Sequence, residues 1–411
     1  MPFVSYAEKF SMYRPGGFHP THLGDTFSNG RYTVVHKLGY GASSTVWLVF
    51  DSETRSYVSL KILAAKNRSA MELTALKHLA DTYDANDEGS RYVAHMRDHF
   101  VHEGPNGQHL CIVSEVQGPN IAEEALYMLY GPDEPVVPLN MARRVCGQIA
   151  FGIAYLHKRG IAHGDLHAGN ILFCLPRPWT SMEEVEGVIG APRQIRYEKT
   201  AEQRASPRLP DYLVPAGKLK NTTEILRLCL ERPNIRICDF SEAYMPGQRN
   251  PRRVAIPNMF RPPDAILLDA PHATRELDIW ALAILFHIVL TGFGLFLSSD
   301  ADDALTDMAL NLGPFPEPLW SKWEKRAKWF NEDGTPLGTT WTSSFLKVSG
   351  SKLAVGGEER RLLEALMAGM VRYRASERLS AQSVAEHPWI AEFCHPYMVG
   401  DARYVVNYFV W

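Results

Sequence analysis

The sequence predicts a two-lobed α+β fold, in which a small strand-rich N-terminal lobe precedes a larger, mainly α-helical one. Three observations point there. From Arg31 to Leu63 short apolar-rich runs alternate with glycine-containing and polar turns, as antiparallel strands require. After Gly118 the apolar residues recur instead at steps of three and four, the period of helices buried on one face. A chain of 411 residues, 45% hydrophobic and 22% charged, is long enough for each lobe to bury a core of its own.

Taken in order, residues 1–30 form an N-terminal extension. Residues 31–118 form the N-lobe, residues 119–390 the C-lobe with an insertion at about 176–233, and residues 391–411 a tail. RYTVVHKL, STVWLVF and YVSLKIL read as strands, followed by a helix over 70–79 that Ser69 would cap and that carries Leu73, Leu76 and Leu79 on one side. YVAHMRDHFVHEG and HLCIVSEV make a second strand pair. Met141, Val145, Ile149, Ile153 and Leu156 then share one face of a helix that stops before Gly160. The insertion, rich in Pro, Arg and Glu with weak periodicity, is expected to be irregular and mobile in its middle. Beyond it come the strand NIRICDF, a polar loop, an apolar helix, the Trp- and Lys-rich WSKWEKRAKWF, and helices around ERRLLEALMAGM and SAQSVAEHPWI.

Composition bounds the partners. A formal charge of −3 gives no general attraction to nucleic acid or to an anionic membrane surface, and a monomer is expected. The six cysteines, Cys111, Cys146, Cys174, Cys229, Cys238 and Cys394, form no CxxC pair and suit reduced thiols in the cytoplasm or nucleus. The first residues lack a basic segment followed by a long apolar stretch, so a secretory leader is not expected. Ile279 to Leu297 carries no Asp, Glu, Lys or Arg and is nearly long enough to span a bilayer. His287 inside that run and the glycines at 292 and 294 favour a buried core helix over a membrane one.

Several residues carry potential chemistry. Leu38-Gly39-Tyr40-Gly41-Ala42-Ser43-Ser44-Thr45-Val46 joins two strands, and its glycines let a backbone approach phosphates, although such a pair also makes an ordinary turn. Lys61 lies fifteen residues past Val46 among apolar neighbours, where its ammonium can meet phosphate oxygens. Glu72, the only acidic residue between Lys61 and Asp81, is its natural counter-charge, unless it is simply a solvated surface glutamate. The run His163-Gly164-Asp165-Leu166-His167-Ala168-Gly169-Asn170 places Asp165 to orient the proton of an attacking hydroxyl, with Asn170 five residues on to hold a metal. Asp239, after the strand NIRICDF, supplies the carboxylate that a hard cation bridging phosphates requires.

These signatures, in this order, resemble those of the eukaryotic protein kinase superfamily. Gly39 and Gly41 fit the glycine loop, VSLK with Lys61 the VAIK strand, and Glu72 the helix-C glutamate. HGDLHAGN fits the catalytic loop, DFS at Asp239 the DFG motif, and RPPD at Arg261 to Asp264 the APE region. Asp278-Ile279-Trp280 is similar to the aspartate that opens the large lobe's core helix, and Arg378 to the late arginine that pairs with the APE acid, here Asp264. The resemblance covers roughly residues 31 to 390. The entry segment YRPGGFHPTHLGDTFSNGRYTVVHKLGYGASSTVWLV, the position of the insertion, and AKWFNEDGTPLG are similar to the SR-protein kinases, the branch that phosphorylates serines in Arg/Ser-rich proteins.

The resemblance implies a bilobal protein kinase fold and a serine/threonine protein kinase that uses ATP and Mg²⁺, with protein substrates, Arg/Ser-rich splicing-type proteins among them. It implies Asp165, His167, Lys61 and Glu72 as catalytic, and Asn170 and Asp239 as metal ligands. The nucleotide would meet Leu38, Gly39, Gly41, Val46, Lys61 and Leu172, with adenine against the backbone around Glu115 and Gln117 and Ser114 guarding the space behind.

The sequence departs from that pattern at four places. His167 stands where a lysine usually contacts the transferring phosphate, Ser241 replaces the DFG glycine, and Ser44 replaces the third loop glycine. Gly164 replaces the arginine that binds an activation-loop phosphate, and between Asp239 and Asp264 the only hydroxyl side chains are Ser241 and Tyr244. Phosphoacceptor and receptor are thus absent together, which predicts an enzyme independent of activation-loop phosphorylation. Two other readings stand beside the protein kinase: a small-molecule phosphotransferase like the aminoglycoside and choline kinases, whose loops also read HGDLHxxN, and a pseudokinase scaffold, which His167 keeps open.

Overall fold

The structure is a computed structural model and describes residues 7–67, 71–122, 138–217, 229–245, 256–268, 274–296, 298, 300–338 and 355–398. Two compact units make up the chain. One comprises Met1–Ala80, Ala94–Gly118 and Cys174–Cys229, and the other Asp81–Val93, Pro119–Phe173 and Leu230–Trp411.

The first unit is built on six antiparallel strands: β1 (Thr26–Phe27), β2 (Tyr32–Tyr40), β3 (Ser44–Asp51), β4 (Ser56–Leu63), β5 (Met96–Gly104) and β6 (Gly107–Ser114), in the order β1-β2-β3-β4-β6-β5. Trp47, Val49, Val58, Leu60, Ile62 and Val113 fill its core. The helix expected over 70–79 runs Met71–Asp81 and buries Glu72, Ala75, Leu76 and Leu79; Ser69, its expected cap, lies outside the described residues.

The insertion differs from expectation. Rather than an irregular excursion, its first part is built into this strand-rich unit. Ser181 caps a helix over Met182–Ile189 by accepting from the Glu184 N–H, and Val185 and Ile189 pack with Trp179 against Leu48. The Gly190 carbonyl meets Nε2 of His36 at 3.0 Å, and Asn106 Nδ2 donates to the Arg208 carbonyl at 3.0 Å. Anchors spread from Trp179 to Arg208 leave too little periodic trace, which is why the sequence reads as loop. Residues 218–228, in the second half of the insertion, lie outside the described residues.

The short strand β7 (Gln117–Asn120) leads from the first unit into the second, where the helix Leu139–Lys158 buries Met141, Val145, Ile149, Ile153 and Leu156. Two short strands follow, β8 (Ile171–Cys174) and β9 (Ile235–Ile237), paired antiparallel with Ile171 opposite Ile237. The apolar run near 279–297 is a core helix, Arg275–Thr291, buried nearly all round. Thr274 caps its start by accepting from the Leu277 N–H, and Gly292 ends it at φ 79°, a left-handed conformation that glycine adopts without steric cost. Among the described residues no helix is long and apolar enough to cross a membrane.

Candidate active site

In the first unit β2 and β3 form the glycine hairpin. Gly39 stands opposite Val46, and the Gly41 N–H closes the turn on the Ser44 carbonyl at 2.9 Å. Neither glycine has a positive φ, and a Cβ added to either would meet nothing within 4 Å. The turn itself therefore does not demand glycine, and both positions leave bare backbone facing open space, as a phosphate-covering loop requires.

Lys61, on β4 opposite Val46, brings Nζ to 2.7 Å from both carboxylate oxygens of Glu72, whose side chain is only 6% exposed. The surface-glutamate reading of Glu72 is therefore set aside. Ser114 pairs with Ser59 of β4 and Met96 of β5. Glu115 and Gln117 follow it, both half-buried. Leu38 packs on the Leu48, Trp179, Val185 and Ile189 cluster, so the insertion buttresses the root of the hairpin.

The second unit holds the acidic group. Asp278, fully buried at the start of its helix, accepts from the backbone N–H of His163 at 2.7 Å and of Gly164 at 2.9 Å, and meets His157 Nε2 at 2.9 Å. His163 then ties two segments together: its Nδ1 accepts from the Asp165 N–H at 3.3 Å while its Nε2 donates to the Cys238 carbonyl at 3.0 Å. Sequence reasoning marked Asp278 as a helix opener but gave neither it nor His163 this scaffolding role. A buried aspartate beside a histidine-led loop was the available signal.

Asn170 Nδ2 donates to the backbone carbonyl of Asp165 at 2.9 Å and lies 3.4 Å from its Oδ2. The amide nitrogen is thereby committed, which leaves the carbonyl oxygen of Asn170 as the end suited to a cation. The Cys238 N–H donates to the backbone carbonyl of Asn170 at 2.9 Å, fixing Asp239 beside it at φ 61°. A non-glycine residue in that region is uncommon and concentrates at functional sites. Oδ1 of Asp165 is buried and accepts no hydrogen bond. Among the described residues no three His, Cys, Asp or Glu side chains could hold a metal by themselves. Mg²⁺ asks for less, since one or two carboxylates with water and phosphate oxygens complete its shell.

His167 Nδ1 accepts from the Gly169 N–H at 3.0 Å, and its Nε2 lies 3.6 Å from Asp165 Oδ2. Accepting at Nδ1 requires that nitrogen to be bare, so the imidazole can donate only through Nε2, towards Asp165. Further along, Arg378 Nη2 donates to Asp264 Oδ1 at 2.7 Å, and its guanidinium lies 5.3 Å from the Trp280 ring centre. Burial pushes the Arg378 pKa down, while Asp264 opposes the shift. Val46 and Leu172 are half-buried on β3 and β8. The structure thus joins Lys61 to Glu72 in one unit, and Asp165, His167, Asn170 and the Asp239 backbone in the other.

The model of the family described as "Protein kinase domain" matches residues 32–177 and 225–390. The chain belongs to the protein kinase family. It is 30% identical to the serine/threonine-protein kinase SRPK of Physarum polycephalum, over 95% of this chain and 92% of that protein. Protein kinase dsk1 of Schizosaccharomyces pombe is 35% identical over 42% of this chain and 31% of its own length. SRSF protein kinase 3 of Homo sapiens is 35% identical over 40% of this chain and 29% of its own length. These relatives place the chain in the SR-protein kinase branch, and it is an ATP-dependent serine/threonine protein kinase. Protein kinases generally work with ATP and Mg²⁺. The family match reaches through Asp264, Asp278 and Arg378 of the helical lobe, which supports a protein kinase over an aminoglycoside-type one.

Proposed function

We propose that this kinase phosphorylates serines of Arg/Ser-rich proteins, with Asp165 orienting the attacking hydroxyl and accepting its proton. The Asp165–Asn170 pair, with one buried carboxylate oxygen of Asp165 left without a partner, carries the role of Asp165, and the likeness to SRPK and SRSF protein kinase 3 supports the Arg/Ser-rich substrates. Asn170, through its carbonyl oxygen, and Asp239, through its carboxylate, would hold Mg²⁺, which when bound neutralises charge on the β- and γ-phosphates. Lys61, aimed by Glu72, would meet the α- and β-phosphates as a fixed positive charge. Gly39, Gly41, Val46 and Leu172 would line the nucleotide, with Glu115 and Gln117 offering backbone groups to adenine. His167 would donate one hydrogen bond from Nε2 rather than supply a permanent charge. Six free cysteines suit a reducing compartment, and the cytoplasm or nucleus is proposed.

The test is incubation of the purified protein with γ-labelled ATP, Mg²⁺ and, separately, an Arg/Ser-repeat peptide, myelin basic protein and an aminoglycoside. Label on the Arg/Ser peptide in preference to myelin basic protein is expected. Label on the aminoglycoside, or equal label on both protein substrates, would overturn the substrate reading.

A further inference from the structure

Among the described residues Lys37 is the one lysine in the core of the strand-rich unit with no exposed side-chain surface, and the mechanism above does not use it. Its place on β2 follows from two irregularities. The β2–β3 register shifts between Val34 and His36 and again between Lys37 and Gly39, so His36 and Lys37 are both buried although adjacent in a strand. Bulges re-aim side chains in this way.

Buried, the ammonium is paired with the carboxylate of Glu8, which also accepts from the hydroxyl of Tyr13. The same nitrogen lies 4.8 Å from the ring centre of Trp47, directly opposite on β3, and 5.7 Å from that of Tyr40, the residue between the two glycines. Trp47 is held in turn by its Nε1–H donating to Thr45 at 3.0 Å. One buried charge therefore links the segment at 8–13 to both strands of the glycine hairpin, two residues before its first glycine.

We propose that Glu8 and Lys37 form a latch through which the N-terminal segment sets the position of the glycine hairpin, making Lys37 a positioning residue for nucleotide binding. The proposal rests on the reading of that hairpin as the phosphate cover. A buried lysine with a single carboxylate partner is all-or-none: removing either partner strands the other charge in a dry site, and the strand must move to rehydrate it. Because Lys37 also touches Tyr40 and Trp47, that movement reaches the hairpin rather than dissipating in a loop.

The test compares Glu8→Ala, Lys37→Met and Glu8→Gln with Val58→Ala, a core truncation in the same sheet at the far end of β4. Kinetics as a function of ATP concentration and melting temperature are measured for each. The latch predicts KM for ATP raised about tenfold in Glu8→Ala and Lys37→Met with kcat within about twofold, Glu8→Gln between them and wild type, and Val58→Ala destabilised at unchanged KM. Glu8→Gln keeps the shape and one acceptor oxygen while removing the charge, so it reports even if the others fail to fold. Unchanged KM in all three latch variants, or a KM that tracks melting temperature in Val58→Ala as well, would overturn the proposal. Wild-type protein without saturable ATP dependence would instead refute the phosphate-cover reading on which it stands.

Discussion

The carboxylate of Asp278 accepts the backbone N–H of His163 at 2.7 Å, so the loop that carries Asp165 is hung from a fully buried side chain at the start of the core helix. Replacing Asp278 with alanine leaves the amides of His163 and Gly164 unpaired in the interior. A loss of about 2–6 kcal/mol in unfolding free energy is expected, at about 1–3 kcal/mol for each of the two stranded groups. Denaturant titration reads it, and turnover should fall with it. A variant as stable as wild type would show that the loop holds its shape without this anchor.

How far the sequence revealed this arrangement depended on where each interaction lies along the chain. Lys61 with Glu72 and Asp165 with Asn170 are short-range or motif-bound, so residue type and spacing were enough to find them. Asp264 with Arg378 was found through the family resemblance. The Glu8–Lys37 pair was not legible, because it depends on two bulges that reverse which face of β2 is buried, and bulges leave no period in a sequence. The insertion was misread for a related reason: Trp179, Val185 and Ile189 gather on Leu48, Gly190 meets His36 and Arg208 meets Asn106, anchors too few and too scattered to set a period.

His167 offers a donor through Nε2 while its Nδ1 is occupied by the Gly169 amide. A lysine there keeps its positive charge at pH 8 and can reach a phosphate, although it gives up the acceptor. His167→Lys is therefore expected to match or exceed wild-type turnover at pH 8 in a steady-state assay. A fall of tenfold or more would show that the imidazole's acceptor role is indispensable.

Stability should fall in mild acid. His19, on the N-terminal extension, packs its ring 4.5 Å from that of His102 and 5.0 Å from that of His109, facing strands β5 and β6. Burial first, then these neighbouring histidines, lowers the His19 pKa to about 3, with Asp25 opposing and His22 adding to the shift. Burial also lowers those of His102 and His109. Neutral in the folded chain and protonated in the unfolded one, each ring costs stability as pH drops below its ordinary value near 6.5, by about 1.4 kcal/mol per pH unit per proton. For His19 that loss continues towards pH 3. Thermal melting from pH 7.5 to 4.5 should show the decline, and His19→Phe should flatten it; an equal slope in that variant would exclude the cluster as its source.

Gly164 carries no side chain to receive a phosphate and gives its N–H to Asp278, while the Tyr244 backbone pairs with Ala162 by two hydrogen bonds of 2.8 and 2.9 Å. The start of the activation segment is thus held by backbone bonds; residues 246–255 lie outside the described residues. Protein made in a host without such kinases, stripped by a broad phosphatase and shown by mass spectrometry to carry no phosphate, should be active without a lag. A large drop in initial rate on dephosphorylation would show that a phosphosite elsewhere controls the enzyme.

The most direct test of the whole account is the rate at which wild type and Asp239→Asn transfer the γ-phosphate of labelled ATP to an Arg/Ser-repeat peptide in Mg²⁺. Asparagine tolerates the φ of 61° at this position and can still accept from the Ser241 N–H, so it removes little besides the charge. Rapid transfer by wild type is predicted, with a fall of about a thousandfold or more in Asp239→Asn at an unchanged melting temperature. An Asp239→Asn rate close to that of wild type would contradict it.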